Sequence, residues 1–75
     1  MNLCDVKLDK LYIVKRVAVQ DEKTKIRLME LGLVSGVEIV VKKKSALKET
    51  LLVVFNHSCF TMKSNVGQEI EVENA

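Results

Sequence analysis

The apolar positions of this chain change period several times, and each change marks an element. Between Ile26 and Leu31 they fall in pairs three apart, Ile26 with Met29 and Leu28 with Leu31. That spacing predicts one broad apolar face on a helix running from about Lys23 to Leu31. Asp21-Glu22-Lys23-Thr24 sets acidic residues ahead of it, where the helix dipole favours them. Gly32 stands where a C′ residue enters the left-handed region without a Cβ clash. Leu33 follows at C″, the position that packs back on the last helical turn. Ser35-Gly36 is a second turn signal, so two glycines four apart force a compact helix-to-strand corner. So short a helix sits near the ~12-residue limit below which helices need tertiary support, so it must pack on something.

Elsewhere the period falls to two. After a lead-in from Met1 to Asp9, with Leu3, Val6 and Leu8 as apolar points, Leu11 to Val19 reads as a first strand. Ile13, Val17 and Val19 share a face there, and Lys15 interrupts it. Val37 to Lys43 alternates cleanly, with Val37, Ile39 and Val41 one way and Glu38, Val40 and Lys42 the other. A polar connection with Ala46 and Leu47 leads to Thr50–Phe55, apolar on both faces and so expected in the centre of a sheet. Asn56-His57-Ser58 reads as a tight hairpin turn, Cys59 to Lys63 as the fourth strand and Asn65-Val66-Gly67 as another turn. In a last strand from Gln68 to Glu73, Ile70 and Val72 face inward while Glu69, Glu71 and Glu73 face water. The fold class is mainly β, about five short strands and one short α-helix. A small, strongly bent barrel of the SH3-like kind fits the count and the length. A flat five-stranded sheet with one covering helix is the structural rival.

Seventy-five residues make a single domain spanning 1–75, burying about 60% of the surface of its unfolded chain. There is no proline, hence no proline-rich linker, and no apolar run approaches the ~18 residues that span a bilayer. Met1-Asn2-Leu3-Cys4-Asp5 lacks the basic and apolar regions of a signal peptide. The expected location is the cytoplasm, with Cys4 and Cys59 as free thiols. Twelve basic and ten acidic residues leave a net charge of +2, too balanced to argue for nucleic acid.

The run Arg27-Leu28-x-x-Leu31-Gly32-Leu33-x-x-Gly36 before a β-branched strand resembles the ferrous iron transport protein A family, FeoA. The resemblance extends from about Leu3 to about Glu73. It implies an SH3-like domain acting as a small non-enzymatic accessory of bacterial ferrous iron uptake. The implied partner is the membrane transporter FeoB, bound through its cytosolic GTP-binding region, so the membrane is met only through the partner. The family's glycine before the first strand is missing near Asp9-Lys10, and the loop Lys44-Ser45-Ala46-Leu47-Lys48 lacks the family's frequent proline. The same domain also ends iron-responsive repressors. An accessory domain of a metal-dependent transcriptional repressor is therefore the alternative function, but it needs an upstream helix-turn-helix. Met1 and an end soon after the last strand favour a complete protein. A small nucleic-acid-binding barrel using Lys42 to Lys48 is the third reading.

For partner binding the candidates are Arg27, Leu28, Leu31, Gly32, Leu33 and the neighbouring Leu47. Either these residues are core, or part of the corner stays exposed as a docking cleft, because so short a helix cannot bury every apolar side chain. Arg27 reads as a solvated partner of Asp21, Glu22 or Glu30, or as a charge at the cleft rim. Lys42-Lys43-Lys44 reads as edge-strand protection or as an anion patch without aromatic neighbours. His57 and Cys59, two apart, could share a side if both were extended, and are the weak candidates for a metal. Their bland readings are a turn residue and a small core hydrophobe. With Cys4 they make at most three nitrogen or sulfur ligands where structural zinc wants four, so no intrinsic cofactor is expected beyond an adventitious transition metal. One histidine and no GxxxxGK[ST] loop give no catalytic triad and no phosphate cradle. Self-association is left open.

Overall fold

Five strands and two helices form among residues 1–47 and 49–75, which the computed structural model describes. In chain order they are β1 (Leu11–Val17), α1 (Glu22–Glu30), β2 (Glu38–Lys44), β3 (Thr50–Phe55), β4 (Ser58–Lys63), α2 (Ser64–Gly67) and β5 (Ile70–Asn74). The strands make one antiparallel sheet in the order β4-β3-β2-β1-β5. The centre is therefore β2, with the expected central strand β3 one place outward. The sheet curls but stays open, since β4 and β5 do not pair, and α2 lies against β3 and β4.

Two bulges set the sheet's phase. In β1 the register slips between Val14 and Arg16, making Lys15 the extra residue. Before the slip Tyr12 and Val14 are buried; after it Val17 stands opposite Ile70, and Val19 is buried beyond the strand. The expected face of Ile13, Val17 and Val19 is thus right after the bulge and wrong before it, because one inserted residue inverts every later side chain. In β2 the slip lies between Val41 and Lys43, with Lys42 as the extra residue. Beyond it Lys44, opposite buried Leu51, turns back over the chain start, where its Nζ donates to the carbonyls of Cys4 and Val6 at 2.9 and 3.0 Å.

Leu3, Val6, Ile39, Val41, Leu51, Val53, Phe55, Ile70 and Val72 fill the core with Leu28 and Leu33. Leu8, expected with Leu3 and Val6, is exposed. Phe55 stacks on Phe60 with ring centroids 4.6 Å apart. Phe55 and Ser58 flank the hairpin, whose two turn residues, Asn56 and His57, have φ of 52° and 62°. Two positive φ values give the turn that matches the strand twist. The turn expected at Asn65-Val66-Gly67 is instead the single helical turn α2, closed by Gln68 N–H to Ser64 C=O at 2.9 Å.

Gly32 and Gly36 both have φ of 94°, but only at Gly32 would a Cβ collide with a neighbour, the Asn56 side-chain amide. Gly32→Ala should cost about 1–3 kcal/mol, and Gly36→Ala about 1 kcal/mol from backbone strain alone. Urea midpoints at unchanged m-value test this, with Gly32→Ala expected to lose more. Equal losses would mean that the contact with Asn56 does not matter.

Candidate functional site

The expected helix is present, one residue earlier than read. Asp21, with extended backbone, caps it by accepting from Thr24 N–H at 3.1 Å and from the Thr24 hydroxyl. At the other end Leu33 N–H donates to Leu28 C=O at 2.9 Å and Gly32 N–H to Met29 C=O at 3.0 Å. This pair of bonds is the Schellman closure that Gly32 and Leu33 announced. Asn56 Nδ2 adds a bond to Leu31 C=O at 3.1 Å, tying the helix end to the β3–β4 turn.

The expected single apolar face does not hold together. Leu28 is buried and Leu33 beyond the helix is fully buried, so both serve as anchors. Ile26 and Met29 remain 51% and 52% exposed, and Leu31 39%. At ~100° per residue Ile26 lies roughly 160° round the helix from Leu28, so a face that includes both cannot be buried on one side. Between α1 and β4 a cleft of about 420 Å³ opens. Its apolar lining is Leu28, Leu31, Phe60, Met62 and Val66; its cations are Lys23, Arg27 and Lys63, and no carboxylate lines it among the described residues. None of the three cations makes an ion pair among the described residues. Arg27 is thus at the rim, without the partnership to Asp21, Glu22 or Glu30 that its neighbours offered. Leu47 is 79% exposed on the β2–β3 connection and does not line the cleft. Gly32 shapes the corner without lining it.

The match to the FeoA domain family model runs over residues 1–74. The chain belongs to the FeoA family. A FeoA protein from Chlorobium tepidum is 31% identical and superposes with a TM-score of 0.91, over 99% of this chain and 70% of that one. FeoA from Stenotrophomonas maltophilia, a prokaryotic SH3 domain protein solved with zinc, is 28% identical with a TM-score of 0.80, over 97% and 89% of the two chains. A manganese-dependent transcriptional repressor shares the fold at 15% identity and a TM-score of 0.88, this chain spanning 41% of it. No curated protein matches the sequence. The SH3-like reading is therefore shown, with the sheet open rather than closed.

In this FeoA domain the metal candidates separate. His57 is a turn residue with left-handed backbone, which removes the premise that it and Cys59 are both extended. Cys59 is exposed rather than core. Cys4 donates its thiol to Ser64 C=O at 3.2 Å, and burial first, then Asp5, pushes its pKa up, disfavouring the thiolate a metal needs. No group of three or more His, Cys, Asp and Glu side chains converges among the described residues. The basic run is not edge protection, since β2 is central. Lys42 pairs with Asp9 at 2.8 Å, Lys44 holds the chain start, and Lys48 lies outside the described residues. Of the three glutamates expected on the last strand, Glu69 lies just before β5, and two do more than face water: Glu71 lies 3.9 and 3.5 Å from Lys15 and Arg16, and Glu69 accepts from Gln20 N–H. Lys23, Phe60, Met62, Lys63 and Val66 escaped the sequence reading, because only the tertiary path brings β4 and α2 opposite α1. No helix is long and apolar enough to cross a membrane among the described residues.

The bonds from Thr24, side chain first, hold the Asp21 carboxyl below its usual 3.8. With the folded value depressed, this cap stabilises fully above the unfolded pKa and is lost as pH falls through the folded one. On acidification below about pH 4, the Thr24 amide should lose exchange protection in step with Asp21 protonation. Asp21→Ala should remove both the protection and its pH dependence, as read by amide exchange of residues 23–25.

Proposed function

We propose that this FeoA protein is a non-enzymatic accessory of ferrous iron uptake that works by binding. Its partner is a FeoB-type membrane transporter, met in the cytoplasm on the cytosolic GTP-binding region. The observation that supports the reading is the apolar surface left open by α1. Leu31 is exposed at the rim of a cleft with an apolar floor, while Ile26 and Met29, which do not line that cleft, are exposed on other sides of the same nine-residue helix. Exposed apolar area beside an apolar cleft on a small domain marks a protein contact. Arg27 and Leu31 form the rim, and Leu28 is reached only through the cleft. Leu33 and Gly32 support the corner from beneath. A module of this kind shifts its partner between states only by binding one more tightly than the other.

Calorimetric titration of the protein into the cytosolic GTP-binding part of the cognate transporter, with and without nucleotide, tests the proposal. Binding should differ between nucleotide states. Leu31→Asp should weaken it at least tenfold, about 1.4 kcal/mol, while far-UV circular dichroism stays unchanged. Absence of binding in every nucleotide state would overturn the reading.

A further inference from the structure

The two outer strands of the sheet are finished differently. Along β5, Asn2 bridges Glu71 and Val72 N–H donates to Met1 C=O at 2.8 Å, so the chain's first residues cover that edge. Among the described residues no strand lies beyond β4. Phe55 and Ser58 flank a two-residue turn and therefore exchange both hydrogen bonds. From there the alternation sends the N–H and C=O groups of Phe60 and Met62 toward β3. Those of Cys59 and Thr61 point outward, and among the described residues no backbone bond joins either to another element. The cleft runs along this edge, for its lining includes four consecutive residues of β4, Phe60 to Lys63, facing Lys23, Arg27 and Leu31 of the helical side. A free strand edge beside a helix, with an apolar floor and a rim of cations without carboxylates, is a complementary surface for one kind of chain.

We propose that this groove takes an extended, acidic peptide segment of a protein partner as a sixth strand against β4. Main-chain bonds to Cys59 and Thr61 hold the segment, and its alternate apolar side chains enter the floor of Leu28, Phe60, Met62 and Val66. Its carboxylates meet Lys23, Arg27 and Lys63, which selects acidic over basic segments. For the identity of the partner the inference rests on the transporter reading above; the chemistry of the groove does not depend on it.

The probe is a blocked peptide of about seven residues alternating glutamate with valine or leucine, the strand period. Its lysine-for-glutamate counterpart and a copy N-methylated at alternate backbone nitrogens are the controls. In amide-resolved NMR titrations the acidic peptide should protect the Cys59 and Thr61 amides from exchange. N-methylation should weaken binding at least about tenfold, and so should combined Lys23→Glu, Arg27→Glu and Lys63→Glu. Thr61→Pro removes one outward donor at a position that tolerates proline on an edge. The methylated peptide makes the same test with the protein untouched. Equal binding of the lysine peptide, or shifts confined away from β4 and α1, would overturn the proposal. The cytosolic part of the transporter should displace the bound peptide; if it binds without displacing it, the assignment of this groove to that partner falls. Peptide binding with no transporter binding would sustain the groove's chemistry and remove the transporter reading instead.

Discussion

The positive φ at Gly32 is the constraint from which the rest of the site follows. It lets the chain reverse within two residues, so Leu33 drops into the core directly after the helix ends. Leu28, one helical turn earlier, becomes the second anchor, and α1 is held at two points rather than along a face. The absent Cβ also lets the Asn56 amide reach Leu31 C=O. Asn56 begins the turn from which β4 starts, so one hydrogen bond fixes the helix end against the root of the neighbouring strand. The spacing between the two walls of the cleft is inherited from that tie.

The parts legible in the sequence are those decided within a few residues. Gly32-Leu33 writes its Schellman closure locally, Asn56-His57 its turn, and Val37-Ile39-Val41 its inward face. What was not legible depends on partners far along the chain. A bulge at Lys15 leaves no local mark beyond a lysine in an apolar run, yet it inverts the phase of β1. The same holds for Lys42 in β2. The helix looked like one apolar stripe because Ile26, Leu28, Met29 and Leu31 are all apolar. Only the position of the core decides which side is buried, and it selects Leu28. Cys59 reads as a small core residue until the hairpin register puts it on the outer face of an edge strand, opposite Val54.

Net charge conceals the electrostatic character of the surface. With +2 overall the chain looks neutral toward any partner. In the fold, however, four cations of the sheet are engaged: Lys15 and Arg16 with Glu71, Lys42 with Asp9, and Lys44 with two carbonyls. The cations of the cleft are not engaged among the described residues. Exposed pairs of this kind stabilise weakly, ~0–1 kcal/mol each. Their larger effect is to remove those charges from the outward field and leave Lys23, Arg27 and Lys63 as a local positive rim.

That rim also bears on how an open β-sheet avoids pairing with copies of itself. A bare edge strand is a template for any other strand, and small domains commonly guard it with lysine. Here β4 carries Lys63 and faces Lys23 and Arg27, so a second β4 brought alongside would meet like charge with no carboxylate to relieve it. The chain does contain a strand of the opposite kind, the acidic alternation around Glu69, Glu71 and Glu73. That strand is bound to β1 on one side, bridged by Asn2 on the other, and its Glu71 faces Lys15 and Arg16. That acidic segment is held inside the fold by both neighbours, so it is not free to pair with β4.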